Sequence, residues 1–252
     1  MTKFGTFRGV FLPSILTVFG VVMYLRLGWV NAHLGFWGTV IVITLASLIT
    51  FVTSFSIASI ATNTQVKGGG AYYMISRSLG LEVGVAVGLP LFFAQAFGVS
   101  FYILGFSEAL SFLFPVSKIA VSVVTLFILS FVAVYSINLA LRVQSFIFLL
   151  IVLSLVSFFM GVVDFEPRPF KDLVFQKESF WNVFAVFFPA VTGIEAGLAM
   201  SGNLEKPSRA LPLGTFSAVI IGYIVYIILS YYLSFHVDRS TLYENSFIFH
   251  SV

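Results

Sequence analysis

The chain has 252 residues, of which 59% are hydrophobic and 9% charged, and its mean hydropathy is +1.06. A soluble domain carries about 25% charged residues, so this composition excludes a soluble fold and points to a membrane-embedded one. The net charge of +3 is spread over many loops and makes no basic stripe able to follow phosphates, which excludes nucleic acid, and the lack of cysteine removes disulfides, thiolate metal sites and cysteine nucleophiles together.

About 20 apolar residues make one crossing of a bilayer. Seven candidate spans follow, near residues 10–34, 36–60, 82–110, 116–137, 143–163, 180–201 and 211–235, in one transmembrane domain covering residues 1–252. Lys3 and Arg8 precede the first span, which is longer than a signal-peptide core and has no small-residue cleavage site, so it is retained. Its middle, Thr17-Val18-Phe19-Gly20-Val21-Val22, sets a hydroxyl and a glycine at membrane depth. Span three carries Gly84 and Gly88, whose spacing suits close helix packing, and then Tyr102 and Glu108. Span six contains Phe187-Phe188-Pro189-Ala190-Val191-Thr192-Gly193-Ile194-Glu195-Ala196-Gly197. A proline, two glycines and a carboxylate make poor material for an unbroken helix, and a break at membrane depth is tolerated where it lines a cavity or a binding site.

Basic residues set the expected orientation. With a cytoplasmic N-terminus, Lys3, Arg8, Lys67, Arg77, Arg142, Lys206 and Arg209 lie inside, while Lys118, Arg168, Lys171, Lys177 and Arg239 lie outside. The acidic residues Asp164, Glu166, Asp172, Glu178, Asp238 and Glu244 also fall outside. Seven spans leave the C-terminus outside, and Ser246 to Val252 form an apolar stretch too short to cross. His33, His236 and His250 occupy outer segments without metal-ligand spacing. With no Walker motif and no nucleophile–base arrangement, neither an enzyme nor a cofactor is expected.

Secondary transporters are commonly built from two repeats that meet at a central site, and broken spans in corresponding positions are the expected trace. Spans one and six are such a pair, five spans apart. The expected fold is therefore an all-α, inverted-repeat transporter with broken spans one and six, and repeats of five spans imply that the chain is C-terminally incomplete.

Five segments carry a family resemblance: Gly9 to Pro13, Gly20 to Leu27, the Gly68-Gly69-Gly70-Ala71-Tyr72-Tyr73-Met74-Ile75-Ser76-Arg77-Ser78-Leu79-Gly80 block, Tyr102 to Glu108, and Phe188 to Gly193 running on to Ser201-Gly202-Asn203-Leu204. In order, they resemble the cation-chloride cotransporters of the amino acid, polyamine and organocation superfamily. The resemblance implies a core of 12 spans, the first seven of which match this chain over residues 9 to 215.

It also implies roles. Potassium sheds water only where a ring of oxygens replaces it, and unwound backbone supplies free carbonyls. The implied ring is made of backbone oxygens of Thr17, Val18 and Pro189 with the hydroxyls of Tyr102 and Thr192. Thr17 departs from the family pattern, which has asparagine there. Chloride takes amides freed at a half-helix start, here Gly20, Val21 and Val22 in span one and Gly193, Ile194 and Glu195 in span six. Glu195 is a second departure, since the family position is apolar. It carries a coupling proton, binds a cation or a substrate amine, or caps the inner half-helix.

Arg26 lies six residues beyond Gly20, about 9 Å along a helix, and Glu108 lies six beyond Tyr102. If Gly20 and Tyr102 share a depth, so do Arg26 and Glu108, and the resemblance makes them an outer gate; the alternative is that Arg26 snorkels alone. The expected function is cation-coupled chloride symport of the potassium-chloride type, in the plasma or inner membrane. One alternative is an amino-acid permease of the same superfamily, with freed amides on the carboxylate and Glu195 on the ammonium. Another is a non-transporting incomplete core or interaction subunit. The expected partners are potassium and chloride, or an amino acid, and the lipid bilayer, and a homodimer is left open.

Overall fold

The computed structural model describes residues 3–64, 66–161, 178–237 and 242–243. The outer charges Asp164, Glu166, Arg168, Lys171, Asp172, Lys177, Asp238, Arg239 and Glu244, His250, and the stretch from Ser246 to Val252 lie outside the described residues.

Among the described residues the chain is all helical, apart from an isolated parallel bridge between Phe4 and Leu204. Apolar residues on every face, few charges, and backbone groups that must bond within their own segment in lipid leave the helix as the available form. In order the helices are α1 (Leu12–Val18), α2 (Val21–Asn63), α3 (Gly70–Leu79), α4 (Leu81–Leu113), α5 (Lys118–Tyr135), α6 (Ile137–Met160), α7 (Phe180–Phe187), α8 (Ile194–Ala199) and α9 (Pro207–His236). A π-turn, Phe7–Phe11, leads into α1, and a 3-10 turn, Phe188–Val191, follows α7.

Among the described residues, six helical stretches are long and apolar enough to cross a membrane. The first, Phe7–Asn63, has 57 residues, about 85 Å if straight and far more than one crossing of about 30 Å. It folds back at Gly35, which adopts φ 64°, a left-handed conformation that costs glycine nothing. The hydroxyl of Thr39 lies 3.5 Å from the carbonyl of Val30, nine residues earlier, where a straight helix would separate them by about 13 Å. Residues 21–34 thus finish span one and residues 36–63 form span two.

α4, α5 and α9 overlie the expected spans three, four and seven. α6 begins at Ile137 rather than near 143, because Ser136 caps it by accepting a hydrogen bond from the Leu139 amide. That leaves Ser136 alone between spans four and five and puts Arg142 inside the helix. α3, within the glycine-rich block, packs on α4 and α8 as a short helix of its own.

The core lies where α9 runs along α2 and both breaks: Met23, Leu27 and Val30 pack with Tyr226, Leu229 and Leu233, all fully buried. A polar clasp fixes their register, since Asn31 Oδ1 accepts from the hydroxyls of Ser230 and Ser234 at 2.8 Å each. Between apolar helices such a clasp discriminates one register from another, which hydrophobicity does not. α5 buries none of its residues, and its apolar faces suit lipid or further helices.

Candidate functional site

The helix of span one stops at Val18 and restarts at Val21, with Phe19 (φ −87°, ψ 35°) and Gly20 (φ −89°, ψ −157°) outside helical geometry. Span six stops at Phe187, tightens through the 3-10 turn, and restarts at Ile194 after Thr192 and Gly193. A helix end leaves about four carbonyls, and a helix start about four amides, without helical partners. Each break therefore frees both kinds of group part-way along a membrane-length stretch.

The two breaks face each other. Thr17 Oγ1 lies 3.0 Å from the Gly193 carbonyl and 2.7 Å from its own Ser14 carbonyl, and its one proton serves one of them at a time. Gly193 has to be glycine here, because a Cβ would run into the Thr17 hydroxyl and come within 2.8 Å of the Ser14 carbonyl. α4 closes a third side. Tyr102 stacks against Gly20, whose Cβ would lie 2.9 Å from the ring, and its hydroxyl donates to the Thr17 carbonyl at 3.4 Å.

Of the residues expected at the cation, Thr17 and Tyr102 are thus in direct contact. Pro189 and Thr192 form a local pair, with the Thr192 hydroxyl donating to the Pro189 carbonyl at 2.9 Å. Val18 presents its carbonyl into the break, where it accepts from Tyr226 of α9 at 2.6 Å. The expected anion residues Gly20, Val21 and Val22 stand at the start of α2, and Gly193, Ile194 and Glu195 at the start of α8; neither start carries a side-chain cap.

Glu195 makes no cap hydrogen bond at the α8 start; its Oε2 accepts from Gln95 Nε2 of α4 at 2.8 Å. The capping reading of this carboxylate therefore has no hydrogen bond behind it. Beyond the restart of span one, Arg26 Nη2 lies 3.9 Å from Glu108 Oε2, with the two side chains 36% and 33% exposed. The contact of Tyr102 with Gly20 supplies the common depth from which the equal six-residue offsets were counted.

Two residues escaped the sequence reading. Gln95 lies seven residues before Tyr102, so two helical turns put both on the face of α4 that meets the breaks; that spacing was a usable signal. Tyr226 gave none beyond a glycine one turn earlier, because it is a tyrosine in a helix apolar on every side.

Elsewhere, three segments are knitted together near residues 3–5, 67–70 and 201–205. The Ser201 hydroxyl donates to the Lys67 carbonyl at 3.0 Å and accepts from the Gly70 amide at 3.3 Å. Phe4 exchanges backbone hydrogen bonds with Asn203 and Glu205 at 2.8 and 3.0 Å. Gly202 packs so closely on Gly68 that a Cβ would lie 2.7 Å from the Gly68 Cα. Beside this seam opens a cavity of about 570 Å³ whose lining includes Lys3, Asn63, Lys67 and Glu205.

Residues 9–247 match the amino acid permease family. The chain is 36% identical over 253 residues to solute carrier family 12 member 2 of Mus musculus, covering 90% of this chain and 21% of the relative. It is 33% identical over 257 residues to the bumetanide-sensitive sodium-(potassium)-chloride cotransporter of Manduca sexta, covering 89% and 24%. Against solute carrier family 12 member 3 of Pseudopleuronectes americanus the identity is 35% over 256 residues, covering 90% and 25%. The chain thus spans a fifth to a quarter of the length of these relatives.

Proposed function

The chain belongs to the amino acid permease family, whose members are transporters and not enzymes, and on that premise we propose that it carries the ion-binding spans of a cation-coupled chloride symporter of the potassium-chloride type. Its single transmembrane domain sits in the plasma or inner membrane with the N-terminus in the cytoplasm. The observation that carries the reading is the junction of the two breaks, where the Thr17 hydroxyl reaches the Gly193 carbonyl and Tyr102 reaches the Thr17 carbonyl.

The groups divide by sign. Carbonyls of Thr17, Val18 and Pro189, with the Tyr102 and Thr192 hydroxyls, offer oxygens to a dehydrated potassium ion. Amides of Gly20, Val21 and Val22 open the long outer half-helix, whose dipole favours an anion; those of Gly193, Ile194 and Glu195 open the inner one. With the Glu195 carboxylate held by Gln95, a chloride at the inner amides meets less direct competition than the sequence position implies. Arg26 and Glu108 act as the outer gate, and the Ser201 seam closes the inner side. Movement of the half-helices about their breaks opens one closure at a time, in the manner of inverted-repeat transporters. The basic residues Lys3, Lys67 and Lys206 support the cytoplasmic assignment of the seam.

A second reading rests on Glu195: an amino acid held by its carboxylate at the freed amides would find an ammonium partner there. The test is reconstitution of the full-length gene product in liposomes, comparing uptake of radiolabelled chloride driven by potassium, by sodium and by both with amino-acid uptake. The proposal expects potassium-dependent chloride uptake. Chloride uptake that requires sodium overturns the potassium-chloride type, and amino-acid uptake without chloride flux overturns the symporter.

A further inference from the structure

We propose that Tyr226 is a positioning residue that fixes the direction of the Val18 carbonyl across the span-one break and so sets cation affinity and choice. The inference rests on the transport reading above for its ion, and on the following geometry for the rest.

Tyr226 is the largest fully buried side chain of the described residues. Its hydroxyl donates to Val18 at 2.6 Å, a short, buried bond. Its ring stands edge-on to Phe187, with centroids 5.2 Å apart and planes at 80°. Phe187 is the last residue of α7, directly before the 3-10 turn. One side chain of span seven therefore touches both discontinuities, through its hydroxyl at one and its ring at the other.

One turn earlier, Gly222 makes the room: a Cβ there would lie 2.7 Å from Val18 Cγ1. Span seven thus presses on Val18 from two positions, with a bare backbone at one and a donor at the other.

A carbonyl oxygen has two lone pairs directed near its own plane. At the end of α1 the Val18 oxygen has lost its helical amide, and leaving it unpaired in the core costs free energy. Tyr226 takes one lone pair and fixes the carbonyl plane, which leaves the second in a defined direction for an ion. Tyr102, by contrast, holds the Thr17 carbonyl at 3.4 Å, long enough for its hydroxyl to turn to an ion instead. The two tyrosines have different roles, Tyr226 as a fixed strut and Tyr102 as an adjustable ligand. Movement of span seven then transmits directly to the cation site.

The test uses the full-length protein in lipid nanodiscs and three variants: Tyr226→Phe, which removes only the hydroxyl; Gly222→Ala, which displaces Val18 and keeps the hydroxyl; and Phe187→Leu, which removes only the ring contact. Two readouts are taken, potassium-induced thermal stabilisation and hydrogen–deuterium exchange at amides 19–23 without ions. We expect Tyr226→Phe and Gly222→Ala to raise the half-saturating potassium concentration about tenfold, to narrow the difference between potassium and sodium, and to speed exchange at the break. Phe187→Leu should lower the ion-free melting temperature and leave half-saturation unchanged. A Tyr226→Phe protein that melts earlier yet keeps wild-type half-saturation and exchange overturns the inference and leaves a purely structural tyrosine. If the wild type shows no potassium effect, the potassium-chloride reading fails; exchange then decides the strut alone, with faster exchange in Tyr226→Phe supporting it and unchanged exchange overturning it.

Discussion

Neutralising either member of the outer ion pair should release the outer closure by about fivefold. Arg26 and Glu108 approach to 3.9 Å, and two unit charges about 4 Å apart attract by about 4 kcal/mol at an effective dielectric constant of about 20 but only about 1 kcal/mol in water. Each side chain is about one-third exposed, and the separation is longer than a direct hydrogen bond, so the pair belongs near the lower limit; exposed pairs measured by mutant cycles give at most about 1 kcal/mol. About 1 kcal/mol is about fivefold in a gating equilibrium. In the full-length protein with any cysteines beyond these residues replaced, a single Thr192→Cys, exposed at the depth of the breaks, reports outer access through its labelling rate by a membrane-impermeant thiol reagent. Arg26→Gln and Glu108→Gln should each speed labelling about fivefold, and the double variant should be no faster than either, because both remove the same interaction. The gain should shrink in high salt, which screens a partly exposed pair. Labelling unchanged in both single variants, or multiplying to about 25-fold in the double one, would refute a gate formed by this pair.

Glu195→Gln should lower the half-saturating chloride concentration about fivefold, by removing a like charge near the inner amides, in a titration of the reconstituted protein; if the substrate is an amino acid the same change abolishes uptake, and identical curves show that Glu195 touches neither. Ser201→Ala removes the hydroxyl that bridges Lys67 and Gly70, so amide exchange over residues 67–70 should speed about tenfold, whereas an unchanged rate means that the glycine packing alone holds the inner seam.

Much of this protein was legible because membrane crossing is a demand on composition and length. Runs of about 20 apolar residues marked candidate spans, and residues that cannot continue a helix marked interruptions, Pro189 and Gly193 in span six and Gly20 in span one, whereas the left-handed turn at Gly35 came from the structure. The Arg26–Glu108 pairing was legible for a related reason, since equal offsets along two helices preserve depth once one contact is fixed. The same composition hid which face of each helix meets which neighbour. A soluble helix advertises its buried face by a stripe of apolar residues, but these helices are apolar all round and carry no such stripe. Facing is settled instead by small residues that allow close approach and by polar groups that find partners across helices, and those partners lie far off in sequence. Tyr226 reaches Val18 across 208 residues, Gln95 reaches Glu195 across 100, and Thr17 reaches Gly193 across 176. The sequence by itself marked the apolar runs and the residues that interrupt spans one and six; the tertiary structure alone decided that residues 70–79 form a helix of their own, which freed carbonyl is held, by which hydroxyl, and where the Glu195 carboxylate rests, because a hydrogen bond between two helices depends on their rotation and register, and neither is written in hydrophobicity.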